Sequence, residues 1–544
     1  MTTQICVAIF VHDLSQAHAD AVRAAEFGAD IVEYRIDGCI GTFHSDADLQ
    51  ASIELMERLV RESPLPCIIT CRIDDEGGMY EGNEMDRISL LEHLGTSDTS
   101  PAYIDVELRS FSHSANIKQK IELAVDHPNQ ARSVSTRLIL STHDFRERPA
   151  NLQRQLLAMV DAQSCAVAKF AYTARSLRDA IDVLDLVRTT PKPTIGIAMG
   201  GFGEITRILA PKFGAFLSFA SLPSTNETAP GQLNVSAMID TYRFRSIKST
   251  TKIYGIIGWP VAHSKSPHVH NAGFSVINHD GVYVPLPIAP GENEQDSDLL
   301  FKATMLDLIN DPNLDLCGLS VTIPHKQRLV QLATEQGWDV DDATKAIGAA
   351  NTVNIERSGT TASRIALSNT DAPAARRCLE SELGPLTGKQ ILIIGAGGVA
   401  RGIVWACCNA GADVHINARR SSQATLLGEE LDCTAVATEN IRNHAWDAIV
   451  NCTPVGMQGG PDPAGIPIDP AHIESAEPVV FDTIYAPIET PLIRHARERG
   501  LRTITGDAMF IEQAKLQFAI WTGTRPPDDV FETAFTASLQ GGTA

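Results

Sequence analysis

Short apolar runs rich in β-branched residues recur through the first half of the chain, and a helix-like segment follows each of them. Eight strands alternating with helices over about 240 residues have the size and rhythm of a (β/α)8 TIM barrel, which is an α/β fold. An open doubly wound sheet is the alternative that the same pattern allows. The eight runs are Ile5–Phe10, Ile31–Ile36, Cys67–Cys71, Tyr103–Leu108, Leu138–Ser141, Ala166–Phe170, Thr194–Met199 and Ala215–Phe219.

A polar stretch from Arg243 to Lys252 has no strong periodicity and precedes a new strand, Ile253 to Ile257, so we place a domain boundary there. Farther on, a strand beginning at Gln390 runs straight into a glycine-rich turn and a helix, the arrangement of a Rossmann-type nucleotide domain. We therefore expect a barrel followed by a two-domain unit. The predicted domains are the barrel over 1–245, a smaller α/β domain over 252–371 completed by 508–544, and the nucleotide domain over 372–507.

Composition narrows the classes of partner. The chain is 44% hydrophobic and 20% charged, and it has no apolar run near the roughly 18 residues that a membrane-spanning helix needs. Its formal charge of −21 disfavours binding to nucleic acid or to anionic membranes, so we expect small-molecule partners. Eleven cysteines without C-x-x-C spacing indicate reduced thiols, and the first strand has no basic flank, so we predict a cytoplasmic location.

A lysine stands inside the sixth run, in Cys165-Ala-Val-Ala-Lys-Phe-Ala-Tyr, where nearly every sequence neighbour is apolar. Burial among such neighbours disfavours the charged form, so we expect the pKa of Lys169 to fall. A neutral amine can attack a carbonyl and form an imine, which then acts as an electron sink. The alternative is a structural lysine whose ammonium reaches solvent from the strand end.

Further polar residues stand at the ends of other predicted strands, on the face that carries the active-site loops of a barrel. Glu33 and Arg35 come late in the second run, Arg72 follows the third, His143 the fifth and Arg207 the seventh. A histidine can move a proton near neutral pH, and arginines offer bidentate partners to an anionic substrate. Taken alone, His143 is more typical of a structural strand-end histidine, and each arginine is equally consistent with a surface salt bridge.

Together, these residues and their spacing resemble the type I 3-dehydroquinate dehydratases over roughly residues 1 to 245. The motifs that carry the resemblance are Glu33-Tyr-Arg35-Ile-Asp37, Arg72 with Glu76-Gly-Gly, Ser141-Thr-His143-Asp, Lys169, Thr206-Arg207 and Ala229-Pro-Gly-Gln232.

The resemblance implies roles for these residues. Lys169 would form an imine with the C3 ketone of the substrate, His143 would act as general acid and base, and Glu76 would help to position His143. The residues implied to hold the substrate's carboxylate and hydroxyls are Glu33, Arg35, Arg72, Arg207, Thr228 and Gln232. Thr206 and Thr228 stand where bacterial relatives often have serine, and both keep the hydroxyl.

The second half of the chain contains the turn Gly395-Ala-Gly-Gly-Val-Ala400 between a predicted strand and a predicted helix. Glycines in such a turn let the backbone approach a pyrophosphate at the helix N-terminus. The next strand ends at Arg419 and Arg420, where a protein specific for NAD normally has an acidic residue. Two guanidinium groups suit a 2′-phosphate, so we predict NADP(H) as the cofactor.

A second set of polar loops resembles the shikimate dehydrogenases over about residues 252 to 525. The motifs are Ser264-Lys-Ser266-Pro, Ser320-Val-Thr322-Ile-Pro-His-Lys326, Asn351-Thr, Asn369-Thr-Asp371, Asn451-Cys-Thr453-Pro-Val-Gly456-Met457, Tyr485-Ala-Pro487 and Met509-Phe-Ile-Glu-Gln513. The chain departs from that family in Asn417-Ala-Arg419-Arg420, where the family has Asn-Arg-Thr, and in the Ala-Pro-Ala that follows Asp371.

This second resemblance implies that Lys326 and Asp371 form the catalytic pair. Lys326 would give a proton to the C3 oxygen as hydride arrives, and Asp371 would fix its position. The residues implied to bind substrate are Ser264, Ser266, Thr322, Asn351, Tyr485 and Gln513. Those implied to bind the cofactor are Gly395, Ala396, Gly397, Gly398, Val399, Ala400, Arg419, Arg420, Thr453, Met457, Gly506 and Met509, and no metal is implied.

The two resemblances fit together, because the product of the first reaction, 3-dehydroshikimate, is the substrate that the second reduces to shikimate. The domain order is similar to that of the plant-type fusion, although the chain begins almost directly at the first barrel strand. One alternative is a class I aldolase fused to another reductase, which Glu76-Gly-Gly and His143 argue against. Another is a noncatalytic metabolite sensor, which the presence of Lys169, His143, Lys326 and Asp371 argues against. The sequence leaves the oligomeric state open.

Overall fold

The computed structural model of the chain describes residues 2–40, 45–125, 135–223, 233–473 and 477–540. It divides into two compact units, one built mainly from residues 1–251 and the other mainly from residues 252–542.

The first unit contains eight parallel strands in the order β7-β6-β5-β4-β3-β2-β1-β8. The two ends of this sheet meet just before β8, where the Phe216 N–H donates to the Thr194 carbonyl at 2.8 Å. The predicted barrel is therefore confirmed, and the open sheet is wrong. The strands are β1 (Gln4–Phe10), β2 (Ile31–Arg35), β3 (Cys67–Thr70), β4 (Tyr103–Glu107), β5 (Arg137–Asp144), β6 (Cys165–Thr173), β7 (Thr194–Met199) and β8 (Leu217–Ala220).

Local sequence explains where several of the barrel helices begin. The Asp13 side chain accepts from the Gln16 N–H, Ser114 does the same for Ile117, and Ser176 with Asp179 forms a capping box. Such caps satisfy backbone donors that the first helical turn leaves free. The helices are α1 (Leu14–Glu26), α2 (Asp46–Glu62), α3 (Glu84–Thr96), α4 (Leu108–Phe111), α5 (Ala115–Ala124), α6 (Leu152–Asp161), α7 (Leu177–Thr189) and α8 (Glu204–Ile208).

Alternation along the strands divides the barrel interior into two zones. Side chains two residues apart face the same side, so the apolar cluster that includes Ile31, Ile68, Tyr103, Ile139 and Val167 fills the N-terminal part of the interior. The next inward positions on the same five strands carry polar or charged groups. These positions are Glu33, Thr70, Asp105, Ser141 and Lys169.

The second unit begins with a mixed six-stranded sheet in the order β10-β9-β11-β13-β14-β12. Two later helices, α17 (Gly506–Thr522) and α18 (Asp528–Gln540), pack against it through the aromatic side chains of Phe518, Trp521 and Phe531, among others. Its elements are β9 (Lys252–Gly258), α9 (Ser266–Val276), β10 (Gly281–Pro287), α10 (Glu294–Asn310), β11 (Leu316–Val321), α11 (Lys326–Gln336), β12 (Asp339–Val340), α12 (Asp342–Ile347), β13 (Thr352–Ser358), β14 (Thr361–Ser368) and α13 (Asp371–Leu383).

A parallel sheet of six strands follows, in the order β17-β16-β15-β18-β19-β20. Numbered within the sheet, this order is 3-2-1-4-5-6, which is the Rossmann order, and its direction reverses between β15 and β18. The predicted Rossmann-type domain is confirmed. The elements are β15 (Gln390–Ile394), α14 (Gly398–Asn409), β16 (Asp413–Asn417), α15 (Ser421–Leu431), β17 (Thr434–Ala435), β18 (Ala448–Asn451), β19 (Val479–Asp482), α16 (Pro491–Glu498), β20 (Thr503–Ile504), α17 (Gly506–Thr522) and α18 (Asp528–Gln540).

Two strands are longer than the apolar pattern predicts. β5 continues to Asp144 and β6 to Thr173, so His143 lies inside a strand rather than after one. The polar inward positions interrupt the apolar pattern there without ending the hydrogen-bonded ladder. None of the described helices combines the length and the apolar character that crossing a membrane requires. All eleven cysteines are free thiols.

Candidate active sites

Lys169 lies in the middle of β6, 4% exposed, with its ammonium between two carboxylates. Its Nζ donates to Asp105 Oδ2 at 2.8 Å and to Glu33 Oε1 at 2.9 Å. Burial lowers the pKa of Lys169, but Asp105 and Glu33 raise it by more, so the net direction is upward. The expected fall in pKa is therefore wrong, because the side chain meets acidic groups from β2 and β4 rather than its apolar sequence neighbours.

Arg72 follows β3 and contacts Asp105 at the carboxylate oxygen that Lys169 does not use. Its Nη2 donates to Asp105 Oδ1 at 2.8 Å, and its Nη1 donates to Glu107 Oε1 at 2.7 Å and to Ser141 Oγ at 2.8 Å. Burial raises the pKa of Asp105, but Arg72 and Lys169 lower it by more, and the net shift is downward. Asp105 is therefore a permanent negative charge beside Lys169.

His143 and Glu76 form the third part of the barrel site. Glu76 Oε2 accepts the backbone N–H of His143 and lies 3.0 Å from its Nδ1. An oxygen that accepts the backbone N–H can also accept a proton on Nδ1, which leaves Nε2 with its lone pair. Burial, Arg72 and Lys169 lower the pKa of His143 well below its usual value, so the imidazole is neutral near pH 7.

The strand register brings His143 to the same side of the barrel as Lys169. Ser141 of β5 pairs with Lys169 of β6, and His143 lies two residues farther along β5, facing the same side as Ser141. With a rise of about 3.3 Å per residue and about 4.8 Å between strands, the Cα atoms of His143 and Lys169 lie roughly 8 Å apart. Burial, together with Glu107 and Asp105, raises the pKa of Glu76 to about 7 although Arg72 lowers it.

The remaining arginines stand at the rim and at the end of β7. Arg35 donates through Nε and Nη2 to the two carboxylate oxygens of Asp37, at 2.8 and 2.9 Å, and Asp37 also accepts the Met79 N–H. Arg207 lies in α8, 2% exposed, and its Nη1 donates to the Ala198 carbonyl at 3.1 Å. The Thr206 hydroxyl donates to the Gly203 carbonyl at the start of the same helix. Thr228 and Gln232 lie outside the described residues.

In the second unit, a cavity of about 140 Å³ brings together five of the six predicted substrate residues and both predicted catalytic residues. Its walls come from the mixed sheet of this unit, from the start of α14 and from α17. Ser264 is not part of this lining, and its Oγ accepts the Ser266 N–H at 3.2 Å. The predicted residues that line the cavity are Ser266, Thr322, Lys326, Asn351, Asp371, Tyr485 and Gln513.

Lys326 and Asp371 form a buried ion pair in this cavity. Lys326 Nζ donates to Asp371 Oδ2 at 2.5 Å, and Asn351 Nδ2 donates to Asp371 Oδ1 at 2.9 Å. Each residue is the first of its helix, α11 and α13 respectively. A carboxylate is stabilised at a helix N-terminus, whereas an ammonium is not. The position of Lys326 is therefore unfavourable for its charge, and the ion pair with Asp371 offsets this cost.

The glycine-rich turn lies beside this pair. Gly395 has φ +115°, a conformation that side chains rarely adopt, and a Cβ atom at Gly398 would lie 3.2 Å from Lys326 Cβ. A Cβ atom at Gly397 would meet no described atom within 4 Å, so packing within the described residues does not require glycine there. Open space at the N-terminus of α14 fits a pyrophosphate group. Ala396 and Ala400 pack into the domain core, as does Val399, which also lines the cavity.

The other predicted cofactor residues follow neighbouring strands. Arg419 and Arg420 are exposed after β16, whose last residue, Asn417, accepts the Gly395 N–H at 2.8 Å. Thr453 follows β18 and donates to Asn451 Oδ1 at 2.7 Å. Met457 follows Thr453 on the same loop. Gly506 and Met509 lie in the first turn of α17 and line the cavity.

Comparison with known proteins gives matches in both units. A model of the type I 3-dehydroquinase family matches residues 5–249, one of the shikimate dehydrogenase substrate binding domain matches 256–353, and one of the shikimate 5′-dehydrogenase C-terminal domain matches 508–534. The bifunctional 3-dehydroquinate dehydratase/shikimate dehydrogenase of Arabidopsis thaliana chloroplasts is 32% identical, over 97% of this chain and 83% of that protein. The chain belongs to this bifunctional family.

Two further relatives of this bifunctional enzyme match its second unit. The shikimate dehydrogenase (NADP(+)) of Anaeromyxobacter dehalogenans is 36% identical over 52% of this chain and 95% of that protein. The crystal structure of shikimate 5-dehydrogenase from Thermus thermophilus in complex with NADP(H) and shikimate is 29% identical, covers 53% of this chain and 99% of that chain, and has a TM-score of 0.44.

Several polar residues of the bifunctional enzyme's sites were not predicted from the sequence. Asp105 and Glu107 are both completely buried in β4. The signal was present, because two acidic residues at alternate positions of the apolar strand Tyr103–Glu107 must share one face. In the second unit, Ser320 and Gln517 line the cavity and hydrogen-bond each other at 2.7 Å.

Proposed function

We propose that the barrel dehydrates 3-dehydroquinate to 3-dehydroshikimate through an imine on Lys169, and that the second unit reduces 3-dehydroshikimate to shikimate with NADPH. One observation carries the proposal. Each unit holds a buried lysine against a buried carboxylate, Lys169 against Asp105 and Lys326 against Asp371, on a chain that matches a bifunctional relative over 97% of its length.

In the barrel, Lys169 must lose a proton before it can attack. Asp105 is a poor acceptor, because Arg72 and Lys169 lower its pKa. Glu33, whose Oε1 lies 2.9 Å from Nζ, is the acceptor that we assign. The free amine then forms a C=N bond with the C3 carbonyl of the substrate, and one water leaves.

His143 performs the proton transfers that follow. Nε2 takes the C2 proton, and the electron pair of that C–H bond moves into the imine. His143 then returns a proton to the C1 hydroxyl, which leaves as water when the ring double bond forms. Hydrolysis of the imine consumes one water and restores Lys169, so the net reaction loses one water. Glu76 holds Nδ1 and stabilises the imidazolium that forms.

The acidic cluster needs cationic partners to hold an anionic substrate. Arg35, Arg72 and Arg207 are guanidinium groups at this end of the barrel, and we assign them, with Glu33 and the predicted Thr228 and Gln232, to the carboxylate and hydroxyls of the substrate. Arg35 is held by Asp37 in a fixed orientation, which reduces the entropy lost when the substrate binds.

In the second unit the residues fit a dinucleotide, since Gly397 leaves open space at the N-terminus of α14. NADPH bound there supplies the hydride for the carbonyl carbon. Lys326 gives the matching proton to the C3 oxygen, and Asp371 and Asn351 keep its ammonium directed into the cavity. We assign Ser264, Ser266, Thr322, Tyr485 and Gln513 to the substrate, and Thr453, Met457, Gly506 and Met509 to the cofactor.

We assign cofactor preference to Arg419 and Arg420. Both are exposed at the end of β16, at the edge of the sheet where the glycine turn begins. In this fold an acidic residue at that position holds the ribose hydroxyls of NAD, whereas arginine accommodates a 2′-phosphate. The kcat/KM with NADPH should therefore exceed that with NADH. Equal values for the two cofactors would contradict this assignment.

One assay tests both halves. The purified chain is given 3-dehydroquinate with NADPH, and formation of the conjugated enone and oxidation of NADPH are followed separately. Borohydride added with 3-dehydroquinate should attach substrate to Lys169, identified by peptide mass, and Lys169→Ala should lose both the adduct and the dehydratase rate. Lys192→Ala is the control, because Lys192 lies just before β7 and donates to three backbone carbonyls, those of Met159, Ala162 and Cys165. An unmodified Lys169 during turnover would refute the imine. Cytoplasmic location stays a prediction.

A further inference from the structure

A buried arginine on α3 stands at the end of the charged cluster that contains Lys169. Arg87 is 0% exposed, and all five of its N–H donors are used. Nε and Nη2 donate to the two oxygens of Glu84 at 2.9 and 2.8 Å, and Nη2 also donates to Ser110 Oγ at 3.0 Å. Nη1 donates to the Cys71 carbonyl at 2.6 Å and to Glu107 Oε2 at 2.8 Å. Only a guanidinium offers five donors in one plane.

Glu107 connects this arginine to the imine lysine. One carboxylate oxygen accepts Arg87, and the other accepts Arg72 at 2.7 Å. Arg72 contacts Asp105 at 2.8 Å, and Asp105 contacts Lys169 at 2.8 Å. Charges of alternating sign therefore form one continuous row. In order, the row is Glu84, Arg87, Glu107, Arg72, Asp105, Lys169 and Glu33, which is three positive and four negative groups, and only Glu84 is partly exposed.

We propose that Arg87 is a positioning residue of the dehydratase site, which fixes Glu107 and Arg72 and offsets negative charge in the row that contains Lys169. This inference rests on the proposed dehydratase function. Arg87 is completely buried, so it acts through Glu107 and Arg72 rather than by touching substrate. It also anchors the Cys71 carbonyl, the backbone group immediately before Arg72.

The charge of the row matters because the row meets an anionic substrate. Loss of Arg87 changes the net charge of the row from −1 to −2 in a site that must accept a carboxylate, and Glu107 loses one of its two guanidinium partners. Negative charge stabilises the protonated form of nearby groups. Lys169 faces Asp105, Glu33 and Arg72, while His143 faces Glu76, Arg72, Lys169, Asp105 and Arg35. Loss of Arg87 should therefore delay deprotonation of both residues to higher pH.

The test compares the pH dependence of dehydratase kcat in wild type, Arg87→Met and Arg87→Lys. For charges about 10 to 15 Å apart at an effective dielectric constant near 20, Arg87→Met should move the profile to higher pH by on the order of one unit. Arg87→Lys keeps the charge but not the fork, so it should lower kcat without moving the profile. Adding Glu107→Gln to Arg87→Met restores the wild-type net charge of the row and should return the profile toward wild type.

Lys192→Met is the matched control. It also removes one positive charge from the barrel, but at the opposite end, beside the start of β7. An Arg87→Met profile that coincides with wild type, or an equal shift in Lys192→Met, would overturn the proposal. A general loss of stability lowers kcat without moving the profile.

A second measurement does not depend on turnover. Histidine labelled with ¹³C and ¹⁵N allows the His143 imidazole to be titrated by NMR, with His143→Ala used for assignment. The pKa of His143 should be higher in Arg87→Met than in wild type and Lys192→Met. A wild type that lacks dehydratase activity would refute the proposed function, whereas this titration would still decide the role of Arg87.

Discussion

Replacing Asp105 with asparagine should lower the pKa of Lys169, so that much more of its amine is neutral at pH 8 than in wild type. The change keeps the shape of the side chain and removes one negative charge 2.8 Å from Nζ. It also leaves Arg72 with Glu107 and Ser141 as its remaining partners. Because Lys169 and Asp105 are both buried, water replaces little of the lost interaction.

The size of the effect follows from the geometry. Opposite charges 3 to 4 Å apart attract by roughly 4 to 6 kcal/mol at an effective dielectric constant near 20. Since a pKa unit corresponds to about 1.4 kcal/mol, the direct effect on Lys169 is about 3 to 4 units. Entry of water and the neutral asparagine oxygen recover part of this, so we expect the pKa of Lys169 to fall by at least about 2 units. The direction is downward because burial, which lowers the pKa, then faces only Glu33.

The assay measures how fast Lys169 reacts with cyanate, which modifies only the neutral amine. Carbamylation of the peptide that contains Lys169 is quantified by mass spectrometry between pH 6 and pH 11, and the midpoint of the rate profile gives the pKa. Thermal unfolding measured in parallel shows whether the variant is folded. Asp105→Asn should react rapidly at pH 8, where wild type reacts slowly.

Asp37→Asn is the matched control for this measurement. Asp37 is also a buried aspartate of the barrel, but its partners are Arg35 and the Met79 N–H rather than Lys169. In Asp37→Asn, the pKa of Lys169 should stay within about half a unit of its wild-type value. If Asp105→Asn is folded and its Lys169 profile coincides with that of wild type, the carboxylate does not hold the lysine in its charged form, and our account of the free enzyme is wrong.

Three further predictions concern the other groups. Because burial raises the pKa of Glu76 to about 7, it gains a proton below that pH and can no longer stabilise the imidazolium, so dehydratase kcat should fall on the acid side. Glu76→Gln should lower kcat roughly 10²-fold and remove this acid limb, and an unchanged limb would contradict the role of Glu76. Lys326→Ala should lower the reductase rate by at least about 10²-fold while sparing the dehydratase, with the partly exposed Lys302→Ala as control, and loss of both activities would argue against separate sites. Gly397→Ala should raise KM for NADPH with little change in Tm, because its Cβ enters open space, whereas Gly201→Ala, also in open space but in the barrel, should change neither. A lower Tm with unchanged KM would assign Gly397 a structural role.

The barrel was predictable because its signal is repeated. Eight apolar runs separated by helical segments specify the fold even when individual ends are misplaced, as at β5 and β6. Lys169 was correctly placed in the sixth strand, but its surroundings were not. Its adjacent residues Ala168 and Phe170 point to the opposite face of the strand. Its actual partners are 64 and 136 residues away in sequence, at Asp105 and Glu33.

In the second unit, the family resemblance predicted residues that the structure brings to one cavity, but it did not predict their order around that cavity. Lys326 and Asp371 are 45 residues apart, and each was recognised from its own loop. Their contact depends on α11 and α13 beginning at neighbouring points, which follows from the mixed order of the first sheet. Gln517 was missed because α17 is apolar on several sides, so one glutamine among Phe510, Phe518 and Trp521 gives no periodic signal.

The charged row in the barrel is explained by chemistry rather than by stability. Burying three positive and three negative groups costs desolvation energy that their mutual attraction repays only in part, and well-packed apolar residues would stabilise the barrel as much or more. The inward positions just below it in the barrel are filled by such residues. The row therefore occupies only the part of the interior where a substrate would enter. A lysine held charged by Asp105 and Glu33 cannot attack the carbonyl compounds that it meets by chance. We expect it to become nucleophilic when a bound substrate allows Glu33 to take its proton, which would make reaction at Lys169 depend on the correct substrate being bound.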